Sequence, residues 1–374
     1  MAPYPAADTT PAATGGGRRR WWLFSPAWDV GVFLGSALLS IFALGIGARL
    51  GFLETRTPEW TWITAVLFVD VAHVWSTGFR VYFDPVEVRR RPGLYLATPV
   101  GSWLVGCALY FGGPWLFWRA LAYLAVWHFI RQQYGWVALY RTRCQDPQGW
   151  VRWLDTATIY IATIYPLLYW HAHLPRRFWW FLANDFTALP GWIAQAVAPF
   201  YWLLLVLYGL RSLYCWTIGG GANPGKDMVV VTTVLCWYVG IVWLNSDYAF
   251  TVTNVLIHGI PYIALIYFAR AGMRSEPHLH PPPPPSRGDP GPAPLARPRR
   301  FNIWPYLLSL WALAYVEEMF WDRAVWHERS WLFGSEWEVS DWHVWIVPLL
   351  AVPQMTHYVL DGFIWKKKRR GFNP

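Results

Sequence analysis

Long apolar runs separated by short polar breaks dominate the chain, and the period of its polar interruptions is helical rather than alternating. With about 20 apolar residues needed per membrane crossing, ten stretches qualify: roughly 28–49, 60–80, 95–112, 115–140, 154–170, 191–212, 228–245, 249–269, 303–320 and 343–365. The pattern predicts an all-α polytopic membrane protein of about ten transmembrane helices. Lys and Arg fall in alternate breaks: Arg18–Arg20, Arg89–Arg91, Arg141, Arg143 and Arg152, Arg211 and Lys226, Arg270–Arg300, and Lys366–Arg370. Cationic loops are retained on the cytoplasmic side, so both termini are expected there, with Arg176 and Arg177 the exception.

Between the eighth and ninth stretches lies HLHPPPPPSRGDPGPAPLARPRR, whose prolines favour an extended linker. The expected organisation is a disordered basic tail (1–20), a bundle of about eight helices (21–270), a Pro-rich cytoplasmic linker (271–302), and two further helices with a basic tail (303–374). His278 and His280 beside the polyproline read as adventitious. GGGANPGK, Gly219 to Lys226, lacks the Walker A spacing and reads as a loop.

Ionisable side chains inside apolar helices are costly, which makes the few present here informative. The second stretch carries Asp70 and His73, three apart. The fourth carries His128, Arg131 and Gln132 on one face; the eighth aligns Asn254, His258 and Tyr262; the tenth supplies His357 and Asp361. All four stretches are even-numbered and run in one direction. At about 1.5 Å per residue, the imidazoles sit about 14 to 20 Å from the outer boundary, a depth at which neighbouring helices would bring them together. Imidazole is the commonest ligand for transition metals, and a carboxylate completes the sphere or orients a histidine through its second nitrogen. Hydrogen-bonding glue between helices is the competing explanation. Arg131 serves substrate positioning or snorkels to the interface. Glu317 and Glu318 read as a solvated cap, and His171, His173, His327 and His343 as residues of outer loops.

Composition sharpens this picture. Apolar residues make up 55% of the chain against 14% charged, as in a membrane protein, and its 30 Trp and 20 Tyr exceed what a core needs but suit many lipid–water boundaries. The net charge of +9 sits in clusters beside apolar runs, pointing to lipid surface rather than nucleic acid. Cys107, Cys144, Cys215 and Cys236 have no paired spacing and read as packing residues.

A polytopic chain with isolated histidines on several spans, here His73, His128, His258 and His357, resembles the Brp/Blh membrane carotene dioxygenases. IHGIPY around His258 is similar to that family's glycine- and histidine-containing motif, although the Asp is absent from it. The resemblance implies histidine-bound iron and oxidative cleavage of a carotenoid. The expectation is thus an integral-membrane, metal-dependent oxidoreductase in a bacterial inner membrane, holding iron through the four histidines. Asp70, Asp361 and Arg131 are the candidate catalytic groups; Gln132, Asn254 and Tyr262 are the candidate cofactor contacts. Its partners would be a lipophilic substrate, membrane lipid and a membrane redox partner. The alternatives are a haem protein with two axial histidines, and a proton-coupled transporter or structural subunit.

Overall fold

A computed structural model describes residues 21–55, 57–273 and 301–364. Among them there are helices and connections but no strand. The basic tails, most of the Pro-rich linker and the His278/His280 pair lie outside the described residues. In chain order the long helices are α1 (Pro26–Leu50), α2 (Glu59–Arg80), α3 (Pro92–Phe111), α4 (Pro114–Cys144), α5 (Trp150–Ala172), α6 (Gly191–Thr217), α7 (Pro224–Trp243), α8 (Asp247–Met273), α9 (Ile303–Trp321), α10 (His343–Leu350) and α11 (Val352–Ile364).

Each apolar stretch falls on a helix, the tenth on the broken pair α10 and α11. Six helices, α1, α2, α3, α6, α7 and α8, are long and apolar enough to cross a membrane. The chain is therefore an integral membrane protein. Its lipid-facing surface is visible on α1 and α6, where Phe42 and Leu210 are more than 60% exposed, and exposed tryptophans cluster at helix ends, among them Trp115, Trp192, Trp216, Trp243 and Trp304. The remaining helices dilute their apolarity with working polar groups. Arg119, Arg131, Arg141 and Arg143 lie on α4, Asp155 on α5, and Glu317 and Glu318 on α9.

Local chemistry fixes the helix starts. Proline occupies an early position in α1, α3, α4 and α7, where its missing N–H is no loss. Ser25, Asn223 and Asn302 accept backbone N–H bonds at the heads of α1, α7 and α9. The connection at Ala351 breaks the tenth apolar stretch six residues before His357. In α2 the backbone runs as π-type turns from Trp62 to Val71, immediately before His73. Such widened turns frequently occur at functional sites. Gly259 lets α8 press onto this segment: a Cβ there would stand 2.6 Å from Val69 Cγ1 and 2.9 Å from the Val69 carbonyl.

Three charge readings change. Arg176, the apparent exception to the cationic alternation, donates to the Ile241 and Leu244 carbonyls at 2.7 Å and so closes the C-terminus of α7. Arg141, Arg211 and Lys226 are not free loop cations either. Lys226 is buried against Asp146 (2.7 Å) and Asp155 (2.9 Å), and Asp155 also bonds Arg141 and lies 3.3 Å from Arg211. Glu317 and Glu318 are half-buried within α9, not a solvated cap, because the helix continues through a π-type segment to Trp326; Glu317 accepts the Trp75 indole N–H at 2.5 Å.

Candidate metal centre

The four even-numbered stretches meet at their histidines. His73 from α2, His128 from α4, His258 from α8 and His357 from α11 are all at least 96% buried. Nε2 of His73 lies 3.0 Å from Nε2 of His258, and Nε2 of His357 lies 3.1 Å from Nε2 of His128. Neighbouring ring centroids stand 4.5 to 5.2 Å apart, with His73 and His128 facing each other at 6.4 Å. Ligand atoms of His73, His128 and His258 fall within 4.8 Å of one another, as do those of His128, His357 and Asp361. Two nitrogens held about 2.1 Å from one ion are about 3.0 Å apart at a right angle and about 3.4 Å at the tetrahedral angle. Each of the two close pairs, His73 with His258 and His357 with His128, fits adjacent positions on one ion.

The other ring nitrogens fix the tautomers. Nδ1 of His73 meets the Asp70 carbonyl, which only accepts, so this nitrogen carries the proton; the Asp70 carboxylate is 3.5 Å away. Nδ1 of His357 lies 2.7 Å from Thr77 Oγ1, which is 3.0 Å from the Tyr262 hydroxyl, and Tyr262 donates to Asp361 Oδ1. The Tyr262 proton being spent on Asp361, Thr77 donates to Tyr262 and accepts from His357. Nδ1 of His128 faces Asp361 Oδ2 at 3.8 Å. Two imidazoles, His73 and His357, therefore turn an unprotonated Nε2 inward, with the other nitrogen held by a carbonyl or a hydroxyl, which is the usual outer support of metal-binding histidines; the His128 Nδ1 to Asp361 distance is too long for a hydrogen bond, so the His128 proton can sit on Nε2 and bridge to His357. His258 differs: its Nδ1 has no hydrogen-bond partner, and its ring lies flat on Phe129 with centroids 3.5 Å apart.

The other expected site residues divide. Gln132 Nε2 donates to the His258 carbonyl at 2.7 Å and ties α4 to α8. Tyr262 and Asp361 join the histidine support directly. Asn254 sits one turn before His258; its Nδ2 bonds the Phe250 carbonyl and Thr253, while its Oδ1 has no partner. Arg131 is not brought into the cluster. It donates to the Tyr160 hydroxyl, lies over the Trp127 and Tyr134 rings, and is exposed, because it points one turn away towards the rim of a cavity. Of the histidines expected in outer loops, His171 is instead buried in the last turn of α5, 3.1 Å from the Tyr123 hydroxyl. Thr77 was missed, since a lone Thr in an apolar helix looks like packing until its neighbours are known.

Two cavities flank the cluster. One of about 410 Å³ is mainly apolar and borders His128, Asp361, Tyr262, Arg131, Trp127 and Leu265. The other, about 960 Å³, has Asp70, Phe129 and Asn254 on the cluster side and loop residues on the other. No protein-family model, curated protein or solved structure matches this chain. The chemistry of the site is therefore read from its own side chains.

Proposed function

We propose that this chain is a non-haem, metal-dependent oxidoreductase of the membrane, acting on a lipophilic substrate. The observation that carries the reading is the convergence of four buried imidazoles, Nε2 of His73 lying 3.0 Å from that of His258 and Nε2 of His357 3.1 Å from that of His128. Each pair needs a proton or a cation between its nitrogens; with an ion bound, the His258 and His128 protons would sit on Nδ1 and all four Nε2 lone pairs would face it. His73, His128, His258 and His357 would hold the ion; imidazole suits iron as it does zinc, copper and nickel, and iron is the one the oxygenase reading takes. Bound iron would supply dioxygen activation. Asp361 balances charge beside His128 and anchors the Tyr262–Thr77–His357 hydrogen-bond chain, while Asp70 orients His73.

The apolar cavity beside His128 fits a lipophilic substrate, with Trp127 and Leu265 providing contact area and excluding water. Arg131 at its rim would meet a polar end of that substrate. Haem fits less well: it would use two of these histidines as ligands, whereas four buried imidazoles converge here. The same reading takes ten crossings with both termini in the cytoplasm of a bacterial inner membrane, α10 and α11 together forming the last, and a membrane redox partner as electron donor.

Elemental analysis and an absorption spectrum of the purified protein test the proposal. The expected result is about one iron per chain without an intense Soret band. Protein free of transition metal after supplementation would overturn it in favour of histidines that bind helices together.

A further inference from the structure

The larger cavity opens at the end of the bundle where α1 joins α2, α5 joins α6, α7 joins α8 and α9 joins α10, and it narrows to Asp70, Phe129 and Asn254. Six carboxylates line it, Glu54, Glu59, Asp70, Asp247, Glu318 and Glu328, against two cations, Arg177 and Arg329. Both cations are already engaged: Arg177 with Glu54 at 2.7 Å, Arg329 with Glu59 at 2.9 Å and Glu328 at 3.0 Å. Among the described residues Asp247 and Glu318 have no ion-pair partner, and Asp70 faces only His73. The surplus negative charge is thus graded inward, from Asp247 and Glu318 to Asp70, whose carboxylate is 3.5 Å from His73 Nδ1.

A second observation marks the inner end as built for a donor or a cation. Asn254 is 98% buried and lines the cavity, and its carbonyl Oδ1 has no hydrogen-bond partner; the same is true of Asp70 Oδ1. Buried acceptors are rarely left so. One side chain, Phe129, separates this floor from the His258 ring on which it stacks. The opposite cavity is mainly apolar and has a single carboxylate, Asp361, in its lining against the six here.

We propose that the carboxylate-lined cavity is the loading route by which a divalent transition-metal ion reaches the histidine cluster, stepping from Asp247 and Glu318 to Asp70 and Asn254 and passing Phe129. The inference rests on the metal-centre reading. It adds a direction of loading and a function for carboxylates that the centre itself does not use. Desolvating a divalent ion is expensive, and oxygen ligands spaced along the path replace its hydration shell stepwise. A low-dielectric wall around unpaired carboxylates also raises the local cation concentration.

Metal-free protein in lipid nanodiscs is mixed with Co²⁺, and binding is followed through its visible absorption. Thr251→Cys, at the cavity wall in a Cys215→Ser background, is modified with a bulky charged thiol reagent. The expected result is uptake slowed by at least about tenfold with unchanged final occupancy. Asp247→Asn and Glu318→Gln should slow uptake several-fold at low salt and less at high salt, where the attraction is screened. Leu139→Cys, which borders the apolar cavity, should load normally when modified. An unchanged rate in the blocked Thr251→Cys protein, or slowing only in modified Leu139→Cys, overturns the route while leaving the metal centre standing. Absence of cobalt from every variant and the wild type overturns the metal centre itself, and the route with it.

Discussion

Replacing Thr77 by Val tests the orientation of the histidines without touching a ligand. The two side chains are nearly isosteric and position 77 is buried, so the substitution removes one hydroxyl and little packing. That hydroxyl accepts from His357 Nδ1 at 2.7 Å and donates to Tyr262 at 3.0 Å. In Thr77→Val the imidazole either keeps its Nδ1 proton unpartnered, at about 1 to 3 kcal/mol for a buried donor, or moves it to Nε2 and loses the lone pair aimed at the centre. Both outcomes weaken the ligand. Removing an outer support of this kind typically lowers metal affinity about 10- to 100-fold, or about 1.4 to 2.7 kcal/mol.

Competition between the protein and a chelator of known affinity, with Co²⁺ as the ion, measures the change directly. Thr77→Ser, which restores the hydroxyl, should recover most of the affinity. The ¹⁵N shifts of His357 in the metal-free proteins should show Nδ1 protonated in the wild type and a mixed or reversed tautomer in Thr77→Val. Affinity within about twofold of the wild type, against the 10-fold minimum expected of a lost outer support, would refute the assignment of His357 as an oriented ligand.

His357→Ala should remove most of the bound metal while helicity and monodispersity persist; unchanged metal content would take α11 out of the centre. Asp361→Asn keeps an acceptor for Tyr262 but not the charge facing His128, so metal binding or activity should fall without an equivalent loss of fold, judged by matched metal and thermal-unfolding measurements. Lys226→Met leaves Asp146 and Asp155 short of a buried partner and should destabilise the protein by about 3 to 5 kcal/mol, read as a lower unfolding midpoint in detergent with metal content per folded protein retained. In a cysteine-free background, Ser286→Cys and Gly334→Cys should react with an impermeant thiol reagent from opposite sides of the membrane; labelling of both from the external side would refute the proposed orientation.

Six helices were legible as apolar runs of crossing length, with proline or an Asx cap at several starts; the others carry too many polar groups for length and apolarity alone to decide. The convergence of the histidines was legible for a related reason. His73, His128, His258 and His357 lie on helices expected to run the same way, so their positions along the chain translate into depth. What periodicity does not encode is the azimuth of each helix. The π-type segment from Trp62 to Val71 shifts the faces of α2 relative to a regular helix, and the interruption at Ala351 separates α11 from α10. For the same reason Arg131 shares a helical face with His128 in the sequence yet turns to Tyr160 and the Trp127 and Tyr134 rings in space. Thr77 has no distinguishing pattern at all; its role exists only once α2, α8 and α11 are assembled around it.

The charged loops were harder to read because a cation in sequence does not announce whether its charge is free. Arg141, Arg211 and Lys226 carry the pattern of cytoplasmic loop residues, but the fold satisfies them internally through Asp146 and Asp155. That network brings together both signs of charge from α4, α5, α6 and α7 and the α4–α5 connection, so its buried ions are paired within the chain. The histidine cluster is organised differently. Its Nδ1 contacts direct lone pairs inward from α2 and α11, and the Asp70 and Asp361 carboxylates lie beside His73 and His128. The two close Nε2 pairs each need a proton or a cation between them in a low-dielectric interior. On the proposed reading a cation from outside the chain takes that place, whereas the Asp146–Asp155 network is complete without one, which is why the metal measurements bear on the histidines and the unfolding measurement on Lys226.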